Sequence, residues 1–240
     1  MVDFAKNFTS TYRDVPFFVY FAFGHVHTAT PNVNPATNPY QGKQYAGCEF
    51  VGTTRRGLFG DALAEVDAAV GELAGDGGWL SKLGVERNTL TIFASDNGPS
   101  IRWGLAAGSS GIFSGQAAAH ANGTRYTNTA KGSTWEGGIR MPAFAHWPGT
   151  VPAHSSSAEI VSTLDLLPSL VTLAGGASSL AGVLLDGKTS LLDVIMKPQG
   201  RSAHKFLPFY NNPAIANASS KIFAARIGAY KVRRACVVAH

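Results

Sequence analysis

The sequence predicts an α/β protein, and three observations carry that expectation. Two short runs, Phe17–Phe23 in "PFFVYFAFGHVH" and Thr89–Phe93 in "TLTIFASDNGPS", are almost wholly apolar, as strands covered on both faces are. Helical patterns stand between and after them, so the order reads strand, helix, strand, strand, helix. The 240 residues are 45% apolar and 15% charged, which suits a well-buried domain and not a disordered chain.

The elements follow in order. Phe17–Phe23 reads as a buried strand ending at Gly24, His25 and His27. Only one of those two histidines is expected to face a site. From Thr28 to Gly57, Pro, Asn, Thr and Gly predominate, predicting a long loop. "LFGDALAEVDAAVGELAGDGG" then puts Ala62, Leu63, Val66, Ala69, Val70 and Leu73 on one helical stripe with its acids opposite, closed by Gly75, Gly77 and Gly78. The second strand stops at Asp96-Asn97, where Asn97-Gly98-Pro99 is turn chemistry. A Gly/Ser/Ala-rich loop, Gly104–Thr129, leads to "AKGSTWEGGIRMPAFAHWPG", with a short strand from Met141 to Trp147 stopped by Pro148-Gly149.

"STLDLLPSLVTLAGG" predicts a helix with a capping box at Ser162 and Asp165 and a glycine stop at Gly175-Gly176. Pro168 pushes its first regular turn later. "FLPFY" and "KIFAARIGAYKV" read as a small antiparallel sheet joined near Ile227-Gly228. Two domains are expected, 1–178 and 179–240.

Several function classes are excluded or weakened. The net charge of +5 is modest, and Arg55-Arg56 and Lys231 with Arg233-Arg234 are the nearest thing to a basic cluster, so nucleic acid is not an expected partner. No stretch has the apolar length of a membrane span. Cys48 and Cys236 do not make a disulfide framework. Sequons at Asn7, Asn122 and Asn217 lean toward the secretory pathway.

The candidate site is where strand ends meet polar clusters, because ligands of open α/β sheets bind outside the carboxyl ends of strands. Asp96 and Asn97 offer a carboxylate and a carboxamide oxygen, donors a hard cation prefers. His27 and Lys131 are polar candidates from other blocks. Glu136 and Arg140, flanking Gly137-Gly138, are read as pairing with each other, and Asp165 as a helix-start residue.

The blocks "PFFVYFAFGHVH", "FGDALAEVDAAVGEL", "TLTIFASDNGP", "KGSTWEGGIRMPAFAHWPG" and "STLDLLPSLVTLAG", in that order, resemble the sulfatase family and its arylsulfatase A-like branch. The resemblance implies an alkaline-phosphatase-like sandwich, here with an incomplete central sheet and the start of a small antiparallel C-terminal sheet. It implies hydrolysis of aryl or carbohydrate sulfate esters with one calcium ion. Asp96 and Asn97 match calcium ligands, and His27 matches the histidine beside the leaving-group oxygen. Lys131 matches the lysine that contacts the sulfate, and His240 a late histidine lining the pocket.

The family's nucleophile, a formylglycine made within Cys-x-Pro-Ser-Arg, has no counterpart: Cys48 is followed by Glu-Phe-Val-Gly and Cys236 by Val-Val-Ala-His. The chain is therefore expected to be the C-terminal portion of a sulfatase, with formylglycine and the remaining calcium ligands in a missing N-terminal segment. Its resemblance leans toward a lysosomal or extracellular location. Two rival readings stay open: a catalytically dead remnant that binds sulfated ligands, and a phosphodiesterase of the same superfold.

Overall fold

A computed structural model describes residues 1–28, 44–100, 106–113, 129–210 and 222–233. The chain divides into two compact units, Met1–Ala143 and Phe144–His240.

In the first unit the chain opens with helix α1, Val2–Thr11. Its hydroxyls bond back one turn, Thr9 to Ala5 O at 2.8 Å and Ser10 to Lys6 O at 2.7 Å. Phe4, Phe8 and Tyr12 stack in sequence along one face, the i, i+4 spacing that supports a short helix. Ala5 and Thr9 are buried. The Asn7 sequon thus lies in a helix whose Thr9 hydroxyl is already bonded; Asn122 and Asn217 are outside the described residues. Lys6 pairs with Glu72 of helix α2, Gly57–Ala74, and lies 5.5 Å from the ring centre of Trp79 in helix α3, Trp79–Lys82.

Helix α2 buries Ala62 and Val66 as the apolar stripe requires, and its C-cap is Gly75. The acids do not all lie opposite. Asp61 is 1% exposed, because the preceding loop folds over it: Gly52 N–H and Thr54 N–H donate to its two oxygens at 2.8 and 2.9 Å. The Gly52 amide, followed by those of Thr54 and Thr53 and the Thr54 hydroxyl, holds the Asp61 carboxyl below its usual range against the opposing pull of burial. Glu65, one turn on, accepts from Gly47 N–H at 2.7 Å. Two carboxylates of α2 therefore fasten the loop that precedes it.

The expected buried strand Phe17–Phe23 is not one. The segment carries no ladder among the described residues, and Phe18 and Tyr20 are 69% and 83% exposed. Apolar periodicity reports a strand's composition, whereas burial depends on neighbours that come from elsewhere in a fold. The second expected strand is present as β1, Thr91–Ala94, half-buried for most of its length. Helix α4, Glu136–Ile139, precedes strand β2, Ala143–His146, and Thr150 N–H closes the turn after β2 on Trp147 O at 3.0 Å.

In the second unit a 3₁₀ turn, Thr163–Asp165, enters helix α5, Leu166–Leu173. The capping box forms: Leu164 N–H donates to Ser162 Oγ and Ser162 N–H donates to Asp165 Oδ2. Pro168 sits in the first turn of α5, where an amide has no helical partner to lose. Asp165 does more than start a helix. It is fully buried, and its oxygens also accept from Lys188 N–H at 2.7 Å and from His204 Nε2 at 2.7 and 2.9 Å. Ser202 N–H and Arg201, far along the chain, donate to Glu159 at 2.9 and 2.8 Å and hold its carboxyl below its usual range. After helix α6, Ser190–Met196, the expected small sheet follows as β3 Leu207–Tyr210, β4 Ile222–Ile227 and β5 Tyr230–Arg233. It is antiparallel in the order β3-β4-β5, with Phe209 opposite Ala224 and Ile227 opposite Tyr230. Gly228 makes the hairpin turn at φ +54°, a conformation that suits glycine.

Candidate functional site

The turn after β1 and the segment carrying Lys131 are joined through their backbones. Ser95 N–H donates to Pro142 O at 3.3 Å, Gly98 N–H to Gly138 O at 3.0 Å, and Lys131 N–H to Pro99 O at 2.9 Å. The glycines explain how the chains come so close. A Cβ on Gly98 would stand 1.8 Å from Gly137 O, and one on Gly138 would stand 2.3 Å from Ala130 O. A Cβ on Gly137 would meet Phe113 O and Thr129 O at 2.6 and 2.7 Å. Gly132, at φ +82°, turns the chain directly after Lys131. The Lys-Gly-x-Thr-x-Glu-Gly-Gly block is therefore a backbone device that seats Lys131 beside the Asp96-Asn97 turn.

At that turn Asp96 is exposed and Asn97 half-buried. Asp96 Oδ1 accepts Asn97 N–H at 2.8 Å, and the Asn97 amide NH₂ donates to Gly98 O at 3.0 Å. That orientation leaves Asp96 Oδ2 and Asn97 Oδ1 without partners among the described residues, as two oxygens of a cation shell would be. They are not a complete shell: no group of three or more His, Cys, Asp or Glu that could hold a metal occurs among the described residues, and hard cations take six to eight oxygens, or fewer with water. The donors fit part of such a site.

His27 sits in a turn closed by its own N–H on Gly24 O at 3.3 Å, and its Nδ1 donates to Thr28 O at 2.8 Å. Nε2 is then the nitrogen left for a ligand. His25 goes elsewhere, because the chain turns between Gly24 and His27. Its Nε2 lies 3.5 Å from Glu65 Oε2, and its ring meets Tyr45 edge-on at 5.7 Å. Glu136 and Arg140 do pair, loosely at 3.9 Å, while the Arg140 guanidinium lies 5.0 Å from the Phe113 ring centre. Cys48 is free and exposed. His240 and Cys236 lie outside the described residues.

Sequence reasoning missed the supporting residues. Gly137 and Gly138 were read only as flanking an ion pair. Gln44, 3% exposed, stands in a Gly- and Tyr-rich stretch with no periodic signal, yet its amide bonds to Val26 O and Ala106 O.

The Sulfatase family model matches residues 1–177. The chain belongs to the sulfatase family. Human arylsulfatase A is 37% identical over 219 residues, covering 91% of this chain and 36% of that protein. Rat steryl-sulfatase is 33% identical over 216 residues, with 87% and 31% covered, and pig N-acetylgalactosamine-6-sulfatase is 31% identical over 231 residues, with 96% and 36% covered. The sulfatase chain thus spans about a third of the length of the curated relatives it matches. Among solved structures, the PsFucS1 sulfatase from Pseudoalteromonas sp. superposes with a TM-score of 0.72 at 24% identity, over 97% of this chain and 39% of that one. Its likeness bears out the expected alkaline-phosphatase-like α/β fold. No helix among the described residues is long and apolar enough to cross a membrane.

Proposed function

We propose that the protein carrying this sulfatase chain hydrolyses sulfate esters of aryl or carbohydrate alcohols, and that these residues form one side of its active site. The observation that supports the reading is the backbone junction of Asp96–Pro99 with Lys131–Gly138, which joins the segment carrying Lys131 to a turn with two oxygens that have no partner among the described residues.

Lys131 contributes a positive charge to the sulfuryl oxygens, which gain charge as the ester bond breaks. His27 in its imidazolium form donates from both nitrogens, Nδ1 to Thr28 O and Nε2 to the departing alcohol oxygen. Asp96 Oδ2 and Asn97 Oδ1 hold part of the shell of a calcium ion, whose charge stabilises anionic groups in the site. The nucleophile is formylglycine supplied by a part of the protein outside these residues, and so are the other calcium ligands. The sequons favour folding in the secretory pathway, with a lysosomal or extracellular destination.

The test is turnover of a nitrophenyl sulfate by the protein that carries this chain, with formylglycine confirmed by mass spectrometry. Lys131→Ala lowers kcat/KM by roughly 10²–10³-fold, and chelation abolishes turnover until calcium is returned. Binding of sulfated ligands without turnover, or preference for a phosphate ester, overturns the proposal.

A further inference from the structure

Gln44 is the residue that joins the histidine turn to the rest of the site. We infer that it is a positioning residue for His27, acting through the carbonyl of Val26. The inference rests on the sulfate-ester reading above for its kinetic part and on geometry for the rest.

Gln44 is almost fully buried, and its amide nitrogen meets two carbonyl oxygens from separate segments: Val26 O, and Ala106 O at 2.9 Å. Only the NH₂ end of a carboxamide can face two acceptors, so the orientation of the side chain is fixed by its partners. Val26 is the residue between the two histidines, inside the turn that His27 N–H closes on Gly24 O. Ala106 begins the segment that ends at Phe113, whose carbonyl abuts Gly137 and so the Lys131 block. Gln44 therefore connects the one catalytic candidate on the histidine turn with the block that seats the others.

Its own position is held in turn. Three residues on, Gly47 N–H is bound by Glu65, and farther along Asp61 binds Gly52 and Thr54. The Phe59 ring packs where Gly108 has no side chain, so α2 braces the Ala106–Phe113 segment as well. Helix α2 thus braces the loop of Gln44 and the Ala106 end of the tie. The Gln44 Oε1 is buried without a partner among the described residues.

The test compares Gln44→Ala and Gln44→Glu with the parent in the protein that carries this chain. It reads kcat and KM on a nitrophenyl sulfate, the ring ¹H–¹⁵N resonances of His27, and the thermal midpoint. Both variants are expected to lower kcat by up to about 100-fold at neutral pH, the cost of misplacing a reacting group by an ångström. KM should change by less than about threefold, since Lys131 keeps its own support. The glutamate variant recovers part of the parent's kcat as its carboxyl gains a proton, because the acid O–H is again a donor; the alanine variant does not recover. Unchanged kcat in both variants overturns the inference. So does a lower kcat accompanied by a lower thermal midpoint but unmoved His27 resonances. If the parent turns over no sulfate ester, the functional reading fails by itself. The tie is then decided by the His27 resonances alone, which shift in Gln44→Ala if it exists and stay in place if it does not.

Discussion

Asp96 and Asp165 are the same residue type in opposite circumstances. Asp96 stands exposed after a strand, with one oxygen bound to a neighbouring amide and the other without a partner among the described residues. Asp165 is fully buried, and its two oxygens receive Ser162 N–H, Lys188 N–H and the imidazole of His204. One carboxylate has spare coordinating capacity and is placed by backbone bonds made by its neighbours. The other has spent its capacity on assembling three stretches of chain. What separates a ligand from a structural hub is thus the number of lone pairs the fold leaves over, which the residue name does not tell.

Removing the hub should have the largest effect. Asp165→Ala strands a buried imidazole and two backbone amides, and is expected to destabilise the second unit by about 3–5 kcal/mol, read as a loss of denaturant midpoint. An unchanged midpoint would show that the unit does not depend on this carboxylate. Next comes the junction that seats the free carboxylate. Gly98→Ala forces a methyl group onto Gly137 O and should cost about 1–3 kcal/mol or more, with loss of protected amides at Gly98 and Lys131 in hydrogen exchange. Retention of both amides would mean that the two segments are not held by this contact. Asp96→Ala sharpens the contrast from the other side: its stability cost should be only about 1 kcal/mol, whereas calcium affinity of the protein carrying this chain should fall. Equal losses of stability in Asp96→Ala and Asp165→Ala would erase the distinction.

The smallest effect is with acid. Asp61 and Glu159 have carboxyls held below their ordinary values, so each favours the folded state fully above its unfolded titration. That contribution is lost as the pH falls through the depressed folded value, beneath the ordinary carboxylate range. Amides of Gly52 and Thr54 should then exchange faster while the Gly98–Gly138 bond, which has no titrating partner, keeps its protection.

Much of this was legible in the sequence because the deciding contacts are local. The Ser162–Asp165 capping box spans four residues, the α2 stripe a few turns, and the Ile227-Gly228 hairpin a single turn. The Asp96-Asn97 and Lys131 blocks were recognisable as motifs, although the reason for Gly137-Gly138 was not: their requirement comes from Phe113, Thr129 and Ala130 carbonyls brought there by tertiary folding. Asp61 was placed on the wrong side of α2 for the same reason, since helical periodicity cannot register a loop folding back onto a polar residue. Helix α1 passed unread because its aromatic spacing is short and its interior polar. His204 lies 39 residues beyond Asp165, a separation that no window of sequence reveals.

The misplaced strand has its own consequence. Phe17, Phe18, Val19, Tyr20, Phe21, Ala22 and Phe23 form seven consecutive residues without charge or proline, with Phe18 and Tyr20 largely in water. Such a stretch is competent to stack on copies of itself as a cross-β nucleus. A solution of the 240-residue chain is therefore expected to aggregate above a concentration limit, after a lag time. Thioflavin fluorescence should rise after that lag, and a lysine at Phe18 or Tyr20 should lengthen it.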